Sequence, residues 1–281
     1  MARALFWAER GRGRTTPNPM VGAVVVSPEG VVMGQAAHMQ AGGPHAEVVA
    51  LDRAAEGARG ATLYCTLEPC AHTGRTGPCV ERIVAAGITR VVAAVTDPNP
   101  QVSGGGFAYL REHGVEVTTG TCAEEASRQL APFLVWMTRR RPFVTVKMAA
   151  SLDGFVGRPG ERVKLTGPAA DRYFHRQRAE IDAIAVGSGT VLADDPDLTA
   201  RGAYRPRPLT RVLFDWRGRI PATARVLSTL QAGPVIMVVT AETLEARRDH
   251  FAAPHDDAKI GKGVRRAGMQ ERRRKCRRCR P

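Results

Sequence analysis

The 281-residue chain lacks any apolar run close to the ~20 residues that a bilayer-spanning helix needs, so neither a membrane-embedded helix nor a membrane partner is expected. A dense cysteine framework is missing too. Six cysteines over this length fit a reducing compartment better than a disulfide-stapled secreted domain. Nothing at the start reads as a secretory leader, because residues 1–10 already carry a helical stripe of Ala4, Leu5 and Ala8. A cytoplasmic location follows as an expectation. Internal repeats are absent, and acid is scarce only locally. Of the 41 Lys and Arg, 11 fall within 259–281 against the single acid Glu271, so most of the net charge of +14 resides in that tail. Nucleic acid is therefore not expected as a partner.

What is present is an apolar content of 43% and enough length for two modest cores. Apolar runs at 21–27 and 31–36 flank Pro28-Glu29-Gly30 and predict a hairpin of sheet strands. Gly42-Gly43-Pro44 breaks the chain, and residues 45–56 have helical apolar spacing through Val48, Val49 and Ala55. A strand at 61–66 leads into a Gly- and Pro-rich loop, followed by a helix at 79–86 and a strand at 90–95. A helix at 107–113, a strand at 115–118 and one helix over 123–137 complete a first unit, which reads as an α/β sheet covered on both faces. The polar stop at 138–142 predicts a linker. Three segments follow: a first domain at 1–142, a second at 143–250 and a basic tail at 251–281 with little packed structure. The second domain should open with a buried strand at 143–148 and continue with strands at 181–186, 211–214 and 235–239.

His45-Ala46-Glu47, Pro69-Cys70 and Cys79 together supply one imidazole, two thiolates and a spare carboxylate. Three protein ligands leave the fourth tetrahedral position of a zinc ion open, as in catalytic sites. Residues two apart on a helix point to nearly opposite sides, so His45 and Glu47 share a site only if the helix begins there. Gly-Gly-Pro provides that beginning. Cys70 and Cys79 each follow a proline, which predicts helix N-termini whose dipoles favour thiolates. The constellation predicts zinc-dependent hydrolytic deamination with Glu47 moving protons. Each element alone has a blander reading: a loop histidine, a small buried cysteine. Cys65, inside an apolar strand, and Cys122 read that way.

Residues Thr66-Leu67-Glu68-Pro69-Cys70-Ala71-His72-Thr73-Gly74-Arg75-Thr76-Gly77-Pro78-Cys79 closely resemble the deaminase half of the bifunctional riboflavin-biosynthesis deaminase/reductases, as do Asn18-Pro19-Met20-Val21-Gly22 and Asp97-Pro98-Asn99-Pro100. The resemblance runs to about residue 240. It implies a cytidine-deaminase-like three-layer α/β/α domain followed by a dihydrofolate-reductase-like α/β domain. It implies a phosphorylated pyrimidine as substrate and a homo-oligomer. By position, His45, Cys70 and Cys79 would bind zinc, Glu47 would shuttle the proton, and Asn18, His38, His72 and Arg75 would contact substrate. A guanidinium on a Gly-rich loop suits a phosphate monoester, which agrees for Arg75. Gly77 stands where the family commonly has proline.

Lys147-Met148-Ala149-Ala150-Ser151-Leu152-Asp153-Gly154 resembles the opening of the reductase half, and Gly187-Ser188-Gly189-Thr190-Val191-Leu192-Ala193-Asp194-Asp195-Pro196 its next motif. The resemblance places Ala149, Thr190 and Asp194 near NADPH, Arg178, Leu198 and Arg201 near the sugar phosphate, and Lys147 at the reaction centre. Helix or turn capping is the plainer role for Asp194 and Asp195. Two departures weaken this half. Arg162-Val163-Lys164-Leu165-Thr166 replaces a Ser-x-Trp-Ile-Thr stretch, and no Glu-Gly-Gly loop follows Thr240, so a partial, impaired reductase with a shifted frame near residue 250 is expected. Two rival readings remain. A nucleic-acid or nucleotide deaminase usually separates its two cysteines by two residues, against eight here. A nucleic-acid-binding protein acting through the tail would rest on the single pair Cys276-Arg277-Arg278-Cys279.

Overall fold

A computed structural model describes residues 1–71, 77–99, 102–157 and 163–246. His72, Arg75 and the basic tail lie outside the described residues. Two compact units divide the rest: the first holds 1–157, 163–182 and 199–209, the second 183–198 and 210–246.

The first unit is built on a five-stranded sheet in the order β2-β1-β3-β4-β5. β1 (Gly22–Val26) and β2 (Val32–Ala37) form the expected antiparallel hairpin. β1 also pairs antiparallel with β3 (Thr62–Cys65), and β3, β4 (Arg90–Ala93) and β5 (Glu116–Thr119) run parallel. Strand alternation sends Gly22 to one face and the Val25/Gly34 pair to the other. On the first face α1 (Ala2–Ala8) lies so close that a Cβ on Gly22 would sit 2.0 Å from the Ala4 carbonyl oxygen. Across the sheet α2 (Ala46–Ala54) approaches as closely, 2.1 Å from Ala50 O to a Cβ built on Gly34. Helices therefore cover both faces, the three-layer arrangement expected. The core between sheet and helices includes Val25, Leu63, Cys65, Ile83, Val91 and Leu110, all fully buried.

α3 (Cys79–Ala85) packs beside α2 and α4 (Gly105–Glu112), and α4 also meets β5. The single helix expected over 123–137 is two: α5 (Ala123–Gln129) and α6 (Ala131–Arg139). Pro132 in the first turn of α6 has no N–H to continue the α5 ladder, and the break falls at Leu130. The buried strand expected at 143–148 is not formed. Phe143, Val144, Val146 and Met148 are all exposed. An apolar run becomes a strand only where a neighbour offers free backbone groups, and among the described residues none is paired with it. α7 (Pro168–Glu180) also belongs to this unit.

The second unit carries three parallel strands, β6 (Ala183–Gly187), β7 (Thr210–Phe214) and β8 (Val235–Val238), in sequential order. α8 (Ser188–Asp194), α9 (Arg225–Ser228) and α10 (Ala241–Ala246) accompany them. Val191, Leu198, Leu213, Ile220, Ala224 and Val226 make its core. None of the helices among the described residues is long and apolar enough to cross a membrane.

Candidate metal centre

His45 is the N-cap of α2, with φ −73° and ψ 156°, so the chain is still extended at the imidazole and turns helical immediately after it. That change of direction brings His45 and Glu47 to one site, as the Gly-Gly-Pro break predicts. Cys79 opens α3 behind the N-cap Pro78 and is fully buried. Cys70 departs from expectation, since it starts no helix. It lies on the irregular segment after β3, and its thiol instead receives the N–H of Cys79 at 3.4 Å, so the first turn of α3 serves both sulfurs. A second bond, Val80 N–H to the Cys70 carbonyl at 3.3 Å, ties that segment to α3.

The ligand atoms of His45, Cys70 and Cys79 all lie within 4.8 Å of one another. His45 Nδ1 is 3.1 Å from Cys79 Sγ and 3.5 Å from Cys70 Sγ. Zinc bonds to N and S hold such a pair about 3.5 Å apart in a tetrahedron, so a small inward or outward adjustment seats the ion. The sulfurs compete for a proton. Hydrogen bonding from Cys79, helped by His45, pushes the Cys70 thiol well down, while Cys70 and burial drive Cys79 up. The Cys70 sulfur also raises His45. A divalent cation resolves this competition by holding both sulfurs as thiolates.

Glu47 lies in the first turn of α2, is 4% exposed, and its Oε2 has no hydrogen-bond partner. Burial pushes its carboxyl up to about 7, with His45 drawing it the other way. A buried carboxyl oxygen with nothing to bind is a costly feature unless water or substrate supplies the partner. The donor set and this orphan oxygen both fit a zinc ion with an open position. Beside them, His38 Nδ1 donates to the Pro44 carbonyl at 3.0 Å, which leaves Nε2 to accept from Asn18 Nδ2 at 3.2 Å. The His38 ring meets His45 edge-on, its centroid 5.5 Å away, and burial lowers its pKa. Asn18, His38, His45, Glu47, Cys70 and Cys79 are thus gathered at one end of the sheet.

The remaining expected residues fall elsewhere. In the first unit Lys147 Nζ sits 4.7 Å over the Phe174 ring, Ala149 is half-buried, and Arg178 donates to the Thr199 carbonyl at 3.5 Å. Arg201 is exposed and its backbone N–H donates to His175 at 3.2 Å. In the second unit Gly187 caps α8, Thr190 and Asp194 are exposed on that helix, and Leu198 is buried with φ 55°. Asp195, at the C-terminal end of α8, accepts the N–H of the distant Arg225 at 2.9 Å, a long-range bond and not the local cap expected from the sequence. Two residues near the metal centre escaped sequence reasoning. Thr66 Oγ1 accepts the Gly22 N–H at 3.1 Å, and the buried Glu68 accepts four backbone N–H groups. The available signal was a carboxylate and a hydroxyl inside an otherwise apolar strand end.

A three-layer sheet with a His/Cys/Cys triangle at a helix start and a buried Glu two residues on defines a zinc-binding deaminase domain. Residues 1–95 match the family described as the cytidine and deoxycytidylate deaminase zinc-binding region. Residues 142–271 match the RibD C-terminal domain. The chain is 44% identical over 249 residues to riboflavin biosynthesis protein RibD of Aquifex aeolicus, covering 88% of this chain and 69% of the relative. Against RibD of Escherichia coli it is 49% identical over 202 residues, 72% of this chain and 55% of the relative. The crystal structure of a diaminohydroxyphosphoribosylaminopyrimidine deaminase/5-amino-6-(5-phosphoribosylamino)uracil reductase from Thermotoga maritima superposes with a TM-score of 0.79 at 40% identity, over 86% of this chain and 69% of that one. Acinetobacter baumannii RibD gives 0.77 at 41%, over 87% and 70%. The chain belongs to the RibD family of riboflavin-biosynthesis deaminase/reductases, whose reductase half uses NADPH.

Proposed function

We propose that the first unit hydrolyses 2,5-diamino-6-ribosylamino-4(3H)-pyrimidinone 5′-phosphate to 5-amino-6-(5-phosphoribosylamino)uracil and ammonia. The observation that carries this is the orphaned, buried Glu47 Oε2 beside the His45, Cys70 and Cys79 triangle. Zinc held by that triangle supplies the Lewis acidity that makes water nucleophilic near neutral pH. Glu47 takes a proton from the water as its oxygen bonds to the amino-bearing ring carbon, then delivers it to the departing nitrogen, so the C–N bond breaks with loss of NH3. Asn18 and His38, locked together, present polar edges to the ring, and His72 and Arg75 bind the ribose phosphate. The test is ammonia release from this substrate, dCMP and single-stranded DNA in parallel. The proposed reading requires turnover of the diaminopyrimidinone phosphate alone at a useful rate. Preferential turnover of dCMP or DNA sinks it in favour of a nucleotide or nucleic-acid deaminase.

The division into a deaminase domain at 1–142, a reductase domain at 143–250 and a basic tail belongs to the same proposal, as do a cytoplasmic homo-oligomer and the reductase roles of Lys147 in the reaction, of Ala149, Thr190 and Asp194 toward NADPH, and of Arg178, Leu198 and Arg201 toward the sugar phosphate. NADPH supplies hydride for reducing the ribose to ribityl. The Arg162 to Thr166 departure supports a weak second activity, so NADPH consumption is expected to lag far behind ammonia release in one vessel.

A further inference from the structure

Two residues before the Cys70 ligand, the Glu68 side chain is 3% exposed, and its partners among the described residues are backbone N–H groups. Its Oε2 accepts the N–H groups of Asp97 at 3.1 Å and Gly104 at 3.0 Å. Its Oε1 accepts those of Gly106 at 3.0 Å and Phe107 at 3.4 Å, in the first turn of α4. Both oxygens are thereby saturated with donors by one continuous stretch of chain. The Glu68 backbone is fixed as well, its N–H donating to the Val95 carbonyl at 2.9 Å. The neighbouring contact is equally tight. A Cβ on Gly106 would lie 2.0 Å from the carbonyl oxygen of Pro69, the residue directly before Cys70. Cys70 is therefore clamped from two sides, by α4 through Glu68 and Pro69 and by α3 through its own sulfur and carbonyl.

We propose that Glu68 is a positioning residue for the Cys70 ligand. It touches neither substrate nor metal. It holds the Glu68-Pro69-Cys70 segment against the first turn of α4, so that the Cys70 sulfur is already placed when the ion arrives. The inference rests on the zinc reading of the His45, Cys70 and Cys79 triangle. Glu68→Gln keeps the shape but puts an NH2 group against two N–H donors, which should push the segment away from α4. Gly106→Ala attacks the same contact from the other side.

The test uses the full chain loaded with cobalt(II) and, separately, titrated with zinc. Wild type should show the intense thiolate-to-cobalt charge-transfer absorption of two sulfur ligands. Without that absorption in wild type, the zinc reading itself falls. In Glu68→Gln and Gly106→Ala the cobalt bands should weaken or shift, and zinc affinity should drop about 10- to 100-fold, the usual effect of losing a group that orients a ligand. Leu110→Ala, on the buried face of α4 one turn beyond the Glu68 contact, should lower the melting temperature and leave the cobalt spectrum unchanged. Wild-type spectra and zinc affinity in both folded variants would overturn the proposal. So would failure of both variants to fold with or without metal, since Glu68 would then be a scaffold residue only.

Discussion

At the scale of single residues, the metal centre was legible because its chemistry demands particular side chains at particular breaks in the chain. His45 and Glu47 had to flank a helix start, and the extended backbone at His45 provides it. Pro-Cys at Cys70 predicts a helix start that does not form, because the helix that polarises its sulfur begins at Cys79. The role of Glu68 is not legible in local sequence, because its four backbone donors come from residues 97–107. The Asn18 to His38 bond yields a residue-scale prediction. Asn18→Ala frees the His38 ring and removes a donor at the substrate edge, so KM for the diaminopyrimidinone phosphate should rise about fivefold while zinc content stays at wild-type level, one polar contact being worth ~1 kcal/mol. Steady-state kinetics beside metal analysis checks it, and loss of zinc would assign Asn18 to the metal site instead.

Elements were read well where two signals agreed. The β1–β2 hairpin combined apolar runs with a Pro-Glu-Gly turn, and α2 combined helical spacing with a Gly-Gly-Pro break. They were misread where one signal stood alone: the apolar run at 143–148 resembles a strand but has no paired neighbour among the described residues, and Pro132 split one expected helix into two. Exposure of Phe143, Met148 and Phe155 on a stretch without regular structure predicts early cleavage by chymotrypsin within 143–157. Mass spectrometry of the first fragments reports this directly, and first cuts inside β1 or α2 would contradict it. In the same unit Leu63 is fully buried at the centre of the sheet, so Leu63→Ala should cost about 2–5 kcal/mol in denaturant melts.

For the molecule as a whole, net charge was the least informative quantity, because it averages a near-balanced body with a basic tail. Layer architecture was recoverable from alternating strands and helices, yet the opposed close contacts at Gly22 and Gly34 that seat helices on both faces needed the structure. Chelation should separate the two halves of the chain functionally. Stripping metal with a strong chelator is expected to abolish ammonia release and leave NADPH binding unchanged, with activity restored by one equivalent of zinc. Full ammonia release from metal-free protein would remove zinc from the account.

The claim that everything else leans on is that Glu47 moves the proton while His45, Cys70 and Cys79 hold the ion. Ammonia release by Glu47→Gln, assayed with its zinc content measured on the same sample, tests this most directly. Zinc should remain at one per chain while kcat falls by about 10²–10⁴-fold, the range for losing a general acid–base group. Turnover at the wild-type rate with zinc in place would contradict it.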